Sequence, residues 1–252
     1  MRPAGGGRVS DIQELPDGTR IIWAPIVKPK RFAFATQVFG EILLTAGVIL
    51  MLFVGYKTLF QDNLVGNQQS DFAKNFTERD GFVPLAEVAN EAEIFGRMYV
   101  PRFGESWTRL IAEGTRWHPV LNEIGIGHYV NTVMPGEVGN FAIAAHRGGF
   151  GGAFRDIDKL TTGDLVYIET KETWFIYKFL ETEVVLPTDV GVIATVPEKL
   201  DGATYGSRYL TMTSCTPIFI NTERIVSWFE LERTQSTAAG MPRDLKIVVG
   251  SR

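Results

Sequence analysis

The hydrophobic and polar positions along the chain fall into three textures. From Phe32 to Tyr56 runs FAFATQVFGEILLTAGVILMLFVGY, 25 residues without a basic group. As a helix this segment reaches about 37 Å, enough to cross a hydrocarbon core of about 30 Å. Glu41 interrupts it, and a carboxylate there costs a few kcal/mol unless it is neutral, paired or near the interface. No small-x-small cleavage pattern follows, and the leader before it is long for a signal peptide, so a single uncleaved anchor is expected. Residues 57–93 are polar and read as a stalk with some helix near Leu85 to Phe95.

From about Ile94 the pattern changes to short runs rich in β-branched and aromatic residues. Arg97–Pro101, Asn140–Ala145, Leu165–Thr170, Trp174–Phe179, Tyr209–Thr213 and Arg224–Glu232 are such runs, separated by Gly, Pro, Asp and Asn. Short strands at this spacing predict an all-β sandwich or barrel rather than βαβ units. One hairpin is explicit, with Leu165–Glu169 and Trp174–Phe179 joined by a charged turn. After Glu232 the stretch TQSTAAGMPRD reads as a loose tail. The LKIVVG that follows is left open, either as a pairing strand or as an idle segment. The expected organisation is a leader at 1–31, an anchor at 32–56, a stalk at 57–93, a β domain at 94–232 and a tail at 233–252.

Composition narrows the class. With 45% hydrophobic and 12% aromatic residues the 252-residue chain can bury a core, which excludes a wholly disordered protein. The balance of 25 basic and 29 acidic residues, without a long basic run, argues against a nucleic-acid partner. Charge is unevenly spread. Residues 1–31 carry six bases and three acids, +3, whereas the remaining 221 carry 19 and 26, −7. Lys28, Lys30 and Arg31 flank the apolar run, which by the positive-inside tendency keeps the N-terminus cytoplasmic and exports the rest.

Cys215 is the only cysteine, so no intramolecular disulfide forms. A solitary thiol is either an inert small core residue or kept reactive for a purpose. Its setting favours reactivity: it ends the strand-like Tyr209–Ser214 and precedes Thr216-Pro217, where a ladder must stop. After a connection of eight residues, Thr216–Glu223, the next strand begins. If the two strands pair antiparallel, Arg224 lies beside Cys215 and is suited to stabilise a thiolate or an oxyanion. A thiolate nucleophile also needs a proton donor for its leaving group. Of three histidines, His118 precedes a proline and reads as a surface or turn residue, and His128 lies in a glycine-bounded loop. His146 ends the run Asn140–Ala145, so it sits at a strand terminus as Cys215 does. His146 leads and His128 remains its rival. No His or Cys grouping has metal-ligand spacing.

These residues carry a resemblance. Gly127-His128-Tyr129, then Met134-Pro135-Gly136 through Asn140 to Ala145-His146-Arg147, then Thr211-Met212-Thr213-Ser214-Cys215 and Arg224, resemble a sortase, most closely the class E sortases of actinobacteria. The likeness covers roughly Ile94 to Glu232. The family's TLxTC motif stands here as TMTSC, and AAH replaces AGH before the histidine. The resemblance implies an eight-stranded β-barrel with short helices behind one transmembrane helix. It also implies a cofactor-free transpeptidation at an LPxTG-type sorting signal. Cys215 would attack the Thr–Gly carbonyl, His146 would handle the protons, and Arg224 would hold the backbone and oxyanion. The partners implied are secreted proteins with a C-terminal sorting signal and a peptidoglycan precursor amine. His128, Tyr129, Thr213 and Ser214 are the substrate-binding candidates, with Tyr129 pointing to an LAxTG preference. A pilus-type enzyme using a protein lysine, and a non-catalytic peptide-binding barrel, are the alternatives.

Overall fold

The computed structural model describes residues 12–22, 31–56, 62–76 and 81–249. They divide into two compact units, Met1–Phe53 and Val54–Arg252. The first contains a small antiparallel hairpin, β1 (Ile12–Glu14) with β2 (Arg20–Ile22), closed by a turn in which the Asp17 carboxylate accepts from the Thr19 amide at 3.1 Å. The helix α1 spans Arg31–Gly55. Its 22-residue part Phe34–Gly55 is long and apolar enough to cross a membrane, and none of it is buried by protein. Leu44 and Met51 are 72% and 78% exposed, the state of side chains that need a non-aqueous surrounding. Glu41 is not isolated, because the Gln37 side-chain amide donates to its carboxylate at 3.0 Å one turn away.

In the second unit eight strands close a barrel. They are β3 (Ile94–Tyr99), β4 (Thr108–Glu113), β5 (Gly125–His128), β6 (Gly139–Ala145), β7 (Leu165–Thr170), β8 (Thr173–Val185), β9 (Arg208–Thr216) and β10 (Glu223–Ser236). The order around the barrel is β10-β8-β7-β3-β4-β5-β6-β9. Only the β4–β5 and β6–β9 pairings are parallel. Phe95, Met98, Ile126, Phe141, Ile143 and Phe229 fill the interior, each fully buried. Closure leaves no exposed edge, which suits a barrel of short strands.

All six strand-like runs become strands, but two strands had no visible signal. β4 (TRLIAE) is buried at every position, so it lacks the alternation of a half-exposed strand. β5 (GIGH) is four residues with two glycines, and it places His128 in the sheet rather than in the glycine-bounded loop expected. Upstream, residues 62–75 form α2 (Asp62–Asn75), whose buried face, including Gln69 and Ala73, packs on β4. The helix expected near Leu85 to Phe95 is only a single 3₁₀ turn at Leu85–Glu87, and Ile94 already starts β3. Downstream, β10 continues to Ser236, and LKIVVG, left open as strand or idle segment, instead contributes to the helix α3 (Arg243–Val249). Leu245 from α3 packs against Tyr167, Trp174 and Ile176, which is why this amphipathic segment is helical.

Under α2 lies Arg109, 6% exposed, with its guanidinium 5.4 Å from the centre of the Trp107 ring. Burial alone pulls its pKa down to about 10. Phe141 sits at the centre of the core, edge-on to Phe95 and against the His128 ring. Phe141→Ala is expected to cost about 3–5 kcal/mol in chemical denaturation of the chain, the penalty of a large buried cavity.

Candidate active site

The site is assembled by the register of three strands. β6 and β9 run parallel with Ala142 opposite Thr211, Ile143 opposite Met212 and Ala144 opposite Thr213. The pairing is extended by the Ser214 hydroxyl, which donates to the Ala145 carbonyl at 2.7 Å. The next residue on each strand path is His146 and Cys215, so both leave the ladder at the same end of the barrel. β10 returns antiparallel, with Arg224 directly opposite Cys215 and Glu223 opposite Thr216. Pro217, which has no N–H to donate, ends β9, and its carbonyl accepts from the Ile220 and Asn221 amides at 3.1 and 3.0 Å. Cys215, a partly exposed free thiol, opens into a groove lined also by His146, Arg224, Tyr129, Thr213 and Ser214.

His146 is held from three sides. Its Nε2 is 2.9 Å from the Asn122 side-chain oxygen, which accepts the ring proton there and leaves Nδ1 free for exchange. The Phe150 ring lies 5.3 Å from the imidazole and the Trp117 ring 6.1 Å, nearly perpendicular. This cover pushes the His146 pKa below the ordinary 6.5, because desolvation penalises the imidazolium. Asn122 also donates to His118 Nε2 at 2.9 Å, and His118 Nδ1 faces Glu123 at 3.0 Å. The expected surface histidine is thus exposed but tied to the outer end of this chain of hydrogen bonds.

Arg224 donates to the backbone carbonyls of Glu223 and Asn221 at 2.9 and 3.3 Å. Among the described residues it has no carboxylate partner, which leaves its charge available to a ligand in the groove. Arg147 is different: it is buried, bonds the Thr216 hydroxyl at 2.5 Å and pairs with Asp158 at 3.1 Å. It therefore fastens the segment after His146 to the residue after Cys215.

Of the substrate-binding candidates, three meet in the groove. The Tyr129 and Thr213 hydroxyls are 3.0 Å apart, and Ser214 stands beside Cys215. His128 lies off the groove. It is 2% exposed, with Nδ1 2.8 Å from the buried Glu113 and Nε2 2.9 Å from the Thr132 hydroxyl, so both ring nitrogens are engaged in packing the barrel. Of the two histidines, His146 lines the groove beside Cys215 and His128 does not. Asn122, Phe150 and Trp117 escaped sequence reasoning because no motif marks them; they reach His146 only through folding.

A family model described as a sortase domain matches residues 98–232. The sortase SrtE2 of Streptomyces coelicolor is 35% identical over 227 residues, 82% of this chain and 87% of that protein. The structure of sortase E from Streptomyces avermitilis aligns at 42% identity and a TM-score of 0.55, covering 60% of this chain and 96% of that one. Sortase E1 of Streptomyces coelicolor, solved with a tripeptide in its active site, aligns at 32% identity and a TM-score of 0.56, again over 60% and 96%.

Removing the aromatic cover tests the cause assigned to the His146 shift. In Phe150→Ala the imidazole gains water, and its titration, followed through the ring-proton NMR shifts, is expected to move up toward 6.5.

Proposed function

The chain belongs to the sortase family of cysteine transpeptidases and is most like its class E members, and from this we propose how its groove performs the reaction. The family binds sorting-signal peptides. Here the peptide lies along the groove with its Thr–Gly bond at Cys215. The Cys215 thiolate attacks the carbonyl carbon, and the tetrahedral oxyanion is met by the Arg224 guanidinium. The C–N bond then breaks. The departing glycine amine takes its proton from His146 Nδ1, while Nε2–H stays on Asn122, and a thioester to Cys215 remains. An amine from a peptidoglycan precursor attacks the thioester and gives its proton to His146. Cys215 leaves as thiolate, which restores both groups and links the cargo to the cell wall.

The observation that carries this reading is the shared register: His146 and Cys215 continue one parallel ladder, and Arg224 stands opposite Cys215 in the next pair. Tyr129, with its hydroxyl against Thr213, is assigned to the second position of an LAxTG-type signal. The apolar α1 anchors the enzyme in the cell membrane with residues 1–31 cytoplasmic and the barrel outside.

The chain is mixed with LAxTG and LPxTG peptides and an amine acceptor, and products are read by mass spectrometry. A product cut between Thr and Gly and joined to the amine is expected, with LAxTG preferred, and none with Cys215→Ala. Absence of cleavage of either peptide would overturn the substrate assignment, and resistance of Cys215 to alkylation in the folded protein would overturn its role as nucleophile. Arg224→Ala is expected to lower kcat by about 10²–10³-fold, the scale of losing one oxyanion donor, with Arg224→Lys recovering part of it.

A further inference from the structure

The side chains that hold His146 are themselves held from outside the barrel. Asn122, which bonds the imidazole, lies in the short helical segment Trp117–Ile124 just before β5, and Phe150, which covers it, lies in the loop after β6. Neither segment is fixed there by a strand ladder. What joins them is α2. The Gln69 side-chain amide donates one hydrogen to the Asn122 carbonyl at 3.0 Å and the other to the Phe150 carbonyl at 3.2 Å. Gln69 is 3% exposed, and its side-chain oxygen has no partner among the described residues, so the residue is buried for the sake of its two donors. Two turns earlier, Asp62 accepts from the Gly149 amide at 3.0 Å and from Arg155 at 3.0 Å, gripping the same loop. The helix can come this close because glycine faces glycine. A Cβ at Gly66 would lie 3.1 Å from the Gly151 carbonyl oxygen, and one at Gly151 would lie 2.7 Å from the Gln69 side-chain oxygen.

We propose that Gln69 is a positioning residue for His146: one amide on α2 holds the two backbone carbonyls whose own side chains orient and cover the imidazole. Gln69 touches neither the groove nor the reacting atoms, so it acts through Asn122 and Phe150. This inference rests on His146 being the proton-transfer group of the proposed reaction. Wild-type transpeptidation is therefore measured first: its absence would sink that reading, whereas an active wild type with unresponsive Gln69 variants would sink only this one.

The test uses the full chain in detergent. Gln69→Met keeps the side chain's length and removes both donors. The expected result is a fall in kcat of about 10- to 100-fold with little change in KM, the signature of a misplaced catalytic group rather than lost binding. The His146 titration, read by NMR with the other ionisable side chains lining its groove, Tyr129, Arg147, Arg224 and Cys215, is expected to rise toward 6.5 as its cover loosens. Ala73→Gly, which weakens α2 at a buried position away from the loop, serves as the comparison: it lowers the melting temperature but leaves kcat and the His146 titration unchanged. If Gln69→Met lowers only the melting temperature, as Ala73→Gly does, the positioning role is refuted. If Gln69→Met does not fold, Gly66→Ala decides, since it keeps both donors but forces helix and loop apart by a few tenths of an ångström. A reduced kcat and a raised titration are expected there, and wild-type values would refute the proposal.

Discussion

The parallel pairing of β6 with β9 is the constraint on which the site depends. The two strands are distant in sequence, with the β7–β8 hairpin and a long loop between them, and yet the ladder gives them one direction and one register. In a parallel pair, residues that follow paired positions by equal steps leave the sheet together and on the same face. His146 follows Ala144 by two and Cys215 follows Thr213 by two. An antiparallel arrangement of the same strands would send the two groups to opposite ends of the barrel. The hydroxyls of Thr213 and Ser214 reinforce this register by donating to the Ile143 and Ala145 carbonyls. The small and hydroxyl residues before the cysteine therefore do mechanical work even where they also line the groove.

Two opposed demands meet at His146. In the proposed reaction it must be charged to protonate a leaving amine, but its partial burial beside Phe150 and Trp117 disfavours that charge. Asn122 eases the conflict, because its oxygen accepts from Nε2–H in both protonation states and so keeps the ring oriented while Nδ1 gains and loses its proton. Arg224, partly exposed and without a carboxylate neighbour among the described residues, donates instead to the backbone carbonyls of Glu223 and Asn221.

An all-β domain was legible wherever strands mix β-branched and aromatic residues between clear breakers, its eight-stranded closure came only with the family resemblance, and the Cys215–Arg224 neighbourhood followed from counting across one hairpin. β4 was hidden because burial on both faces erases alternation, and β5 because four residues carry no period. α2 was hidden for another reason: DNLVGNQQSDFAKN is polar on average, and its helix is stabilised by one face docking on β4 rather than by a strong amphipathic pattern. Residue types left His128 and His146 as rivals because their settings arise only on folding: Glu113 and Thr132 engage both nitrogens of one ring, whereas Asn122 meets one nitrogen of the other.

The single thiol of this chain has a practical and a chemical corollary. Any reagent specific for sulfhydryls modifies one atom per molecule, so the stoichiometry of labelling reports the accessibility of Cys215 directly, without a correction for bystander cysteines. The same solitude removes a safeguard. With no second cysteine to capture a sulfenic acid as a reversible internal disulfide, oxidation of Cys215 advances toward irreversible acids unless a thiol supplied from elsewhere intervenes. The enzyme's working life in an oxidising milieu is then set by its surroundings rather than by its own fold.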